Sequence, residues 1–237
     1  MTLLVTGAAG FIGSSVAMAL LDRGEQVIGI DNLNDYYDPA LKRARLDRLA
    51  EAHGNAFTFE QVDFGDQQAL EQFAAPHRFD RIVHLGAQAG VRYSLVNPQA
   101  YVRSNLMGQI NLLELARHRE VEHFIYASSS SVYGGNKELP FRVEDRVDHP
   151  ISLYAATKKA DELMGESYAH LFRLPPAFSS PSSFGGPSMQ ASTPPTISSM
   201  KVKSRRMSPP LKILSGRPSY NALVKIHIAM SGRPHGP

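Results

Sequence analysis

Leu3-Leu-Val-Thr-Gly-Ala-Ala-Gly-Phe-Ile-Gly13 runs from a short apolar stretch through three glycines into an amphipathic segment. The order is strand, tight turn, helix. Glycine at such a junction lets backbone approach a pyrophosphate, and the helix N-terminus adds free N–H donors and a positive dipole end. The spacing is Gly-x-x-Gly-x-x-Gly rather than Gly-x-Gly-x-x-Gly. A ligand-free glycine turn could carry the same letters, so the surrounding chain has to decide.

Working outward, apolar runs alternate with longer amphipathic ones. Strands are expected at Leu3 to Val5, Gln26 to Ile30, Ala56 to Val62, Arg81 to His84 and His123 to Tyr126. Helices are expected from Phe11 to Arg23, stopped by Gly24, and from Pro39 to His53, stopped by Gly54. Three more are expected over Gln67 to Ala74, Pro98 to His118 and Ser152 to Phe172. Strands and helices alternating at this spacing predict an α/β fold, a Rossmann-type doubly wound parallel sheet. Ligands bind such sheets at the carboxyl ends of the strands. Asp31, 18 residues after Gly13, ends the second strand, where an acid can accept hydrogen bonds from adenosine hydroxyls and repel a 2′-phosphate. Its other reading is a turn cap. Asp63-Phe64 follows the third strand, with a helix cap as the alternative for Asp63, and Leu85-Gly-Ala87 follows the fourth.

Tyr154-Ala-Ala-Thr-Lys158 brings chemistry to this frame. Four residues span about one helical turn, so phenol and ammonium share a face. A cation beside a phenol stabilises the phenolate and turns a poor base into a usable one. Ala127-Ser-Ser-Ser-Ser-Val-Tyr-Gly134 follows the fifth strand, placing hydroxyls at the same sheet edge. Together these features predict redox chemistry at a sugar or alcohol carbon.

Composition sets the bounds. The chain has 237 residues, 43% of them hydrophobic, enough for a packed core, and no cysteine for a disulfide or a thiolate metal site. No metal is expected. No apolar run approaches the ~20 residues of a membrane span, so a cytoplasmic protein without membrane partners is expected. The net charge of +3 joins two unlike parts. Residues 1–174 carry 17 Lys/Arg and all 22 Asp/Glu, whereas residues 175–237 carry 8 Lys/Arg, no acid and 11 of the 16 prolines. The basic excess belongs to the tail and gives no ground for a nucleic-acid partner. A binder acting through that tail stays as a minor alternative.

The glycine motif, His84-Leu-Gly-Ala-Gln-Ala-Gly-Val-Arg-Tyr-Ser94, the serine run and Tyr154 to Lys158 resemble the extended short-chain dehydrogenase/reductase family. Within it they look most like UDP-glucuronate 4-epimerases, as do Asp31-Asn-Leu-Asn-Asp-Tyr-Tyr-Asp38 and the Arg-rich helix beyond. The resemblance implies Ser129, Tyr154 and Lys158 as catalytic residues, with Ser128 and Ser130 open as alternatives to Ser129. It implies NAD contacts from Gly7, Gly10, Phe11, Ile12, Gly13, Asp31, Asn32, Asp63, Phe64, Leu85, Ala87, Asn105, Tyr154 and Lys158. Gln88, Arg92 and Ser129 would face a nucleotide sugar, with Arg92 pairing a uronate carboxylate. The implied enzyme is an NAD-dependent epimerase acting through a 4-keto sugar: hydride leaves carbon 4 and returns to the opposite face. A homodimer is also implied. Dehydratases of the family carry Thr-Asp-Glu where Ser129-Ser-Ser131 stands, which disfavours elimination of water. A UDP-galactose 4-epimerase-like enzyme is the nearest rival.

The resemblance covers residues 1–174, taken as the NAD-binding domain. Where the family continues with Arg-Phe-Phe-Thr-Val-Tyr-Gly-Pro, this chain has Phe178-Ser-Ser-Pro-Ser182. Codons TTC-TTC-ACC-GTC read one base late give Ser-Ser-Pro, so a frameshift near Pro175 is expected. Residues 175–237 then form a Ser/Pro-rich basic tail in place of the substrate-binding region. A catalytically inactive NAD-binding domain is accordingly the alternative to an active epimerase.

Overall fold

The computed structural model describes residues 1–137, 140–142 and 145–174. The expectations of an irregular tail and of a reading-frame change fall on residues 175–237, outside the described residues.

Five parallel strands form one sheet: β1 (Thr2–Thr6), β2 (Gln26–Asp31), β3 (Phe57–Gln61), β4 (Arg81–His84) and β5 (His123–Tyr126). Their spatial order is β3-β2-β1-β4-β5. The chain winds outward from β1 through β2 to β3, then returns to the other side of β1 for β4. That reversal opens a crevice above the carboxyl ends of β1 and β4.

The side-chain period of two sorts the strand residues onto two buried faces. Leu4, Ile28, Ile30, Ile82 and Phe124 pack on one side. Leu3, Val5, Val27, Val83 and Ile125 pack on the other. Helices cover both faces, which is why the strands read as nearly continuous apolar runs. On the second face lie α1 (Phe11–Leu21) and α2 (Pro39–His53), supplying Ala17, Leu21, Leu46 and Leu49. On the first lie α3 (Gln67–Ala74), with Leu70 and Phe73, and the later helices, with Leu112, Leu113 and Met164.

Helix starts follow the local chemistry. Asp38 Oδ1 accepts from Ala40 N–H at 2.8 Å to start α2, and Asp66 Oδ1 accepts from Ala69 N–H at 3.1 Å to start α3. The long helix expected from Pro98 to His118 is instead three pieces: α4 (Pro98–Tyr101), a π-helical segment (Val102–Met107) and α5 (Gly108–His118). Two tertiary contacts account for the widened turn. Asn105 reaches across to the loop after β4, and Gly108 lies so close to Phe64 that a Cβ would sit 2.5 Å from its ring. Neither is legible in hydrophobic spacing. The last helix, α6 (Leu153–Phe172), starts at Ser152, whose Oγ accepts from Ala155 N–H at 3.1 Å.

Candidate active site

The turn between β1 and α1 forms the floor of a cleft of about 420 Å³. Gly7 has φ +67°, a conformation that costs glycine little. Gly13 allows the first turn of α1 to close against that loop, since a Cβ there would lie 2.0 Å from the Gly7 carbonyl oxygen. Gly10 precedes α1 without any side-chain cap, so the N–H groups of Phe11, Ile12 and Gly13 keep no intrahelical partner. All these residues line the cleft.

At one end, Asp31 closes β2. Its Oδ1 accepts from Leu33 N–H at 2.8 Å and from Lys42 Nζ at 3.4 Å. The turn-cap reading therefore holds for Asp31, and Oδ2 takes neither contact. Lys42 is only 5% exposed and also donates to Asn34 Oδ1 at 3.0 Å. One turn further along α2, Arg45 donates to the Ala9 carbonyl at 3.2 Å and pins the glycine loop. Lys42, Arg45, Asn34 and Tyr36 line the cleft and went unnoticed in the sequence reading. The Lys/Arg spacing of three along α2 was the available signal.

Leu85, Ala87 and Gln88 form the wall after β4, with Phe64 behind them and Asn32 on the β2 side. Gln88 is buried. Two residues expected at the cofactor have partners within the protein. Asp63, an implied NAD contact, uses Oδ1 to accept from Gly65 N–H at 2.9 Å and Oδ2 to pair with Arg103 at 3.1 Å. Asn105, expected against the cofactor, is a buried brace. Its Oδ1 accepts from Gln88 N–H at 2.8 Å, and its amide hydrogens go to the Gln88 carbonyl at 3.1 Å and Thr157 Oγ1 at 3.0 Å. No amide hydrogen of Asn105 remains for a ligand. Arg92 is exposed and does not line the cleft.

The Tyr154 ring meets Tyr101 edge-on, with centroids 6.1 Å apart. Tyr101 is fully buried, and its hydroxyl donates to the carbonyls of Ala89, at 2.8 Å, and Gly90. Ala89 belongs to the cleft wall, so Tyr101 ties the Tyr154 ring to that end of the cleft. The serine run resolves into distinct roles. Ser128 Oγ donates to Glu162 Oε1 at 2.6 Å, and Ser130 is exposed. Ser129 caps a short 3₁₀ turn, accepting from Ser131 N–H at 3.2 Å and donating to Ser131 Oγ at 3.1 Å. That turn packs against α6.

Lys158 is 4% exposed, and its Nζ donates to Asp161 Oδ2 at 2.6 Å. Burial pushes the Asp161 carboxyl up to about 6; Lys158 opposes that rise, and Glu162 adds to it. At the end of β4, His84 shares a 2.6 Å hydrogen bond between Nδ1 and Thr6 Oγ1. Burial, helped by the Lys158 cation, drives its imidazole down to about 3.

The residues present fit a dinucleotide. An uncapped helix N-terminus faces a turn that tolerates no Cβ, and a strand-end carboxylate keeps one oxygen for a hydroxyl. Comparison with known proteins agrees with this geometry. The family described as GDP-mannose 4,6 dehydratase matches residues 4–207. A probable UDP-glucuronate 4-epimerase of Rhizobium meliloti is 49% identical over 175 residues, 74% of this chain and 51% of that protein. The crystal structure of UDP-glucuronic acid 4-epimerase from Bacillus cereus, in complex with UDP-glucuronic acid and NAD, is 36% identical. It superposes with a TM-score of 0.65 over 74% of this chain and 55% of that one. A UDP-glucose 4-epimerase from Thermotoga maritima, crystallised with UDP-glucose, is 32% identical with a TM-score of 0.62, covering 73% of this chain and 53% of that one. The chain spans about half the length of the curated relatives it matches.

Proposed function

Because the chain belongs to the GDP-mannose 4,6 dehydratase family of extended short-chain dehydrogenases/reductases, we propose that it is an NAD-dependent UDP-sugar 4-epimerase. UDP-glucuronate, giving UDP-galacturonate, is the proposed substrate. The observation that carries the reading is the cleft itself. A cradle of Gly7, Gly10 and Gly13 and the Asp31 carboxylate line it, and Tyr101 links the Tyr154 ring to its far wall.

In this reading the α1 N-terminus and the glycine turn hold the pyrophosphate, and Asp31 accepts the adenosine ribose hydroxyls. The chemistry supplied by bound NAD⁺ is reversible acceptance of a hydride. Tyr154 takes the proton from the sugar's 4-hydroxyl and gives it back after the 4-keto sugar has turned over. Ser129 hydrogen-bonds the reacting oxygen, and the Lys158 cation stabilises the phenolate. Gln88 and Arg92 face the sugar, Arg92 toward the uronate carboxylate. Ser129-Ser-Ser131 contains no carboxyl group to assist elimination of water, which favours epimerisation over dehydration.

Two comparisons support the glucuronate choice over the UDP-galactose alternative: the named UDP-glucuronate 4-epimerase relatives, and the higher identity to the Bacillus cereus UDP-glucuronic acid 4-epimerase, 36%, than to the Thermotoga maritima UDP-glucose 4-epimerase, 32%. A second reading is an NAD-binding domain without turnover. A coupled epimerisation assay on purified protein, run beside measurement of bound NAD, separates the two. Tyr154→Phe should abolish turnover while NAD stays bound. Near-normal turnover in that variant would overturn the assignment.

A further inference from the structure

Asp161 is the buried group that the proposed chemistry does not use. It is fully buried on α6, three residues beyond Lys158, and holds the Lys158 ammonium at 2.6 Å through Oδ2. Its other oxygen, Oδ1, is buried without any hydrogen-bond partner. A carboxylate with one orphaned oxygen is a poor resting place for charge, so this ion pair is held weakly for its depth.

The direction of the contact matters. Side chains on a helix lean toward its N-terminus, which for Lys158 is the side of Tyr154, four residues earlier. The ammonium is engaged by a carboxylate three residues further along the same helix, not by a group on the Tyr154 side. The charged and titratable groups around the pair are few. Glu162 faces Asp161 from α6 and is itself occupied by Ser128, at 2.6 Å, and Lys159, at 3.2 Å. Tyr126 of β5 faces Asp161, Glu162 and Glu166. His84 of β4 faces Lys158 and is neutral.

We propose that Asp161 is a positioning residue that parks the Lys158 ammonium, and that filling the cleft with a dinucleotide draws Lys158 off it and puts a proton on the carboxyl. This rests on the NAD-binding reading above. The charge balance is simple: Asp161 takes one proton from solvent when its cation leaves. Asp161 already titrates at about 6 with Lys158 in place, and loss of the cation can only raise it. By linkage, NAD⁺ binding must then take up a proton above pH 6 and weaken as pH rises.

Calorimetric titration of the full chain with NAD⁺ at pH 7, in buffers of different ionisation enthalpy, counts the protons. Uptake of a sizeable fraction of one proton is expected, with affinity falling up to about tenfold per pH unit above pH 6. Asp161→Asn should bind NAD⁺ with no proton uptake and a flat pH profile. Binding without proton uptake in the natural sequence overturns the proposal, as does undiminished uptake in Asp161→Asn. The count on the natural sequence needs no variant, so misfolding of Asp161→Asn does not shield the idea; Lys158→Met should also lose the uptake. Failure to bind NAD⁺ at all is a different result, which sinks the functional reading itself.

Discussion

His84 makes a sharp prediction about acid stability. It is 3% exposed, paired with Thr6, and its imidazole is driven from an ordinary value near 6.5 to about 3. Between those values the unfolded chain binds a proton that the folded chain refuses. The stability held by neutral His84 is therefore complete above pH 6.5 and is lost as pH falls toward 3. The first pH unit below 6.5 costs about 1 kcal/mol and the next about 1.4, so moving from pH 6.5 to 4.5 removes about 2 kcal/mol. Asp161 acts in the opposite sense. Its raised carboxyl lets the folded chain take up a proton between about 6 and its ordinary 3.8, which stabilises the fold in acid. In the natural sequence the two groups offset each other over much of the range. His84→Asn keeps a polar atom for Thr6 but cannot titrate. Packing lost against Phe64, whose ring centroid is 5.2 Å away, adds a pH-independent offset. Urea unfolding of both proteins at pH 6.5, 5.5 and 4.5 isolates the titration. The natural sequence should lose about 2 kcal/mol relative to His84→Asn across that range. A gap that stays constant with pH would refute the buried-neutral account.

Three further outcomes follow from the site. Gly13→Ala drives a Cβ into the Gly7 carbonyl oxygen, so it should weaken NAD⁺ binding at least about tenfold and cost about 1–3 kcal/mol, read by calorimetry and urea unfolding. Asn105→Ala leaves the backbone N–H and C=O of Gln88 without partners; about 2–5 kcal/mol should be lost, whereas a cost below about 1 kcal/mol would show that the brace is dispensable. Asp31→Ser should weaken NAD⁺ more than NADP⁺, narrowing the preference between them in parallel titrations, because the charge that repels a 2′-phosphate is gone.

How much of this was legible in the sequence depends on the range of the interaction responsible. The five strands, the approximate starts of α2, α3 and α6 and the glycine turn were all readable. Each follows from period, cap or turn chemistry acting within a few residues. The expected Pro98 to His118 helix has the right ends, but its π-helical middle was not legible. The π segment inside it answers to the backbone at Gln88 and the ring of Phe64, far away in the chain. The candidate site divided in the same way. Gly7, Gly10, Phe11, Ile12, Gly13, Asp31, Asn32, Phe64, Leu85, Ala87 and Gln88 line one cleft. Asp63 and Asn105 proved committed to other partners, and Lys42 and Arg45 entered unannounced from α2.

The sequence by itself determined a parallel α/β sheet, the ligand-binding edge of that sheet, and the company of Tyr154 and Lys158 on one helical face. Those are consequences of local periodicity and of where glycines and caps fall. Only the tertiary structure decided that Lys158 is engaged by Asp161 rather than free, that Lys42 pairs with Asp31, and that His84 is buried neutral. Partner and protonation state depend on which groups meet after the strands pack and water leaves. No spacing along the chain encodes that.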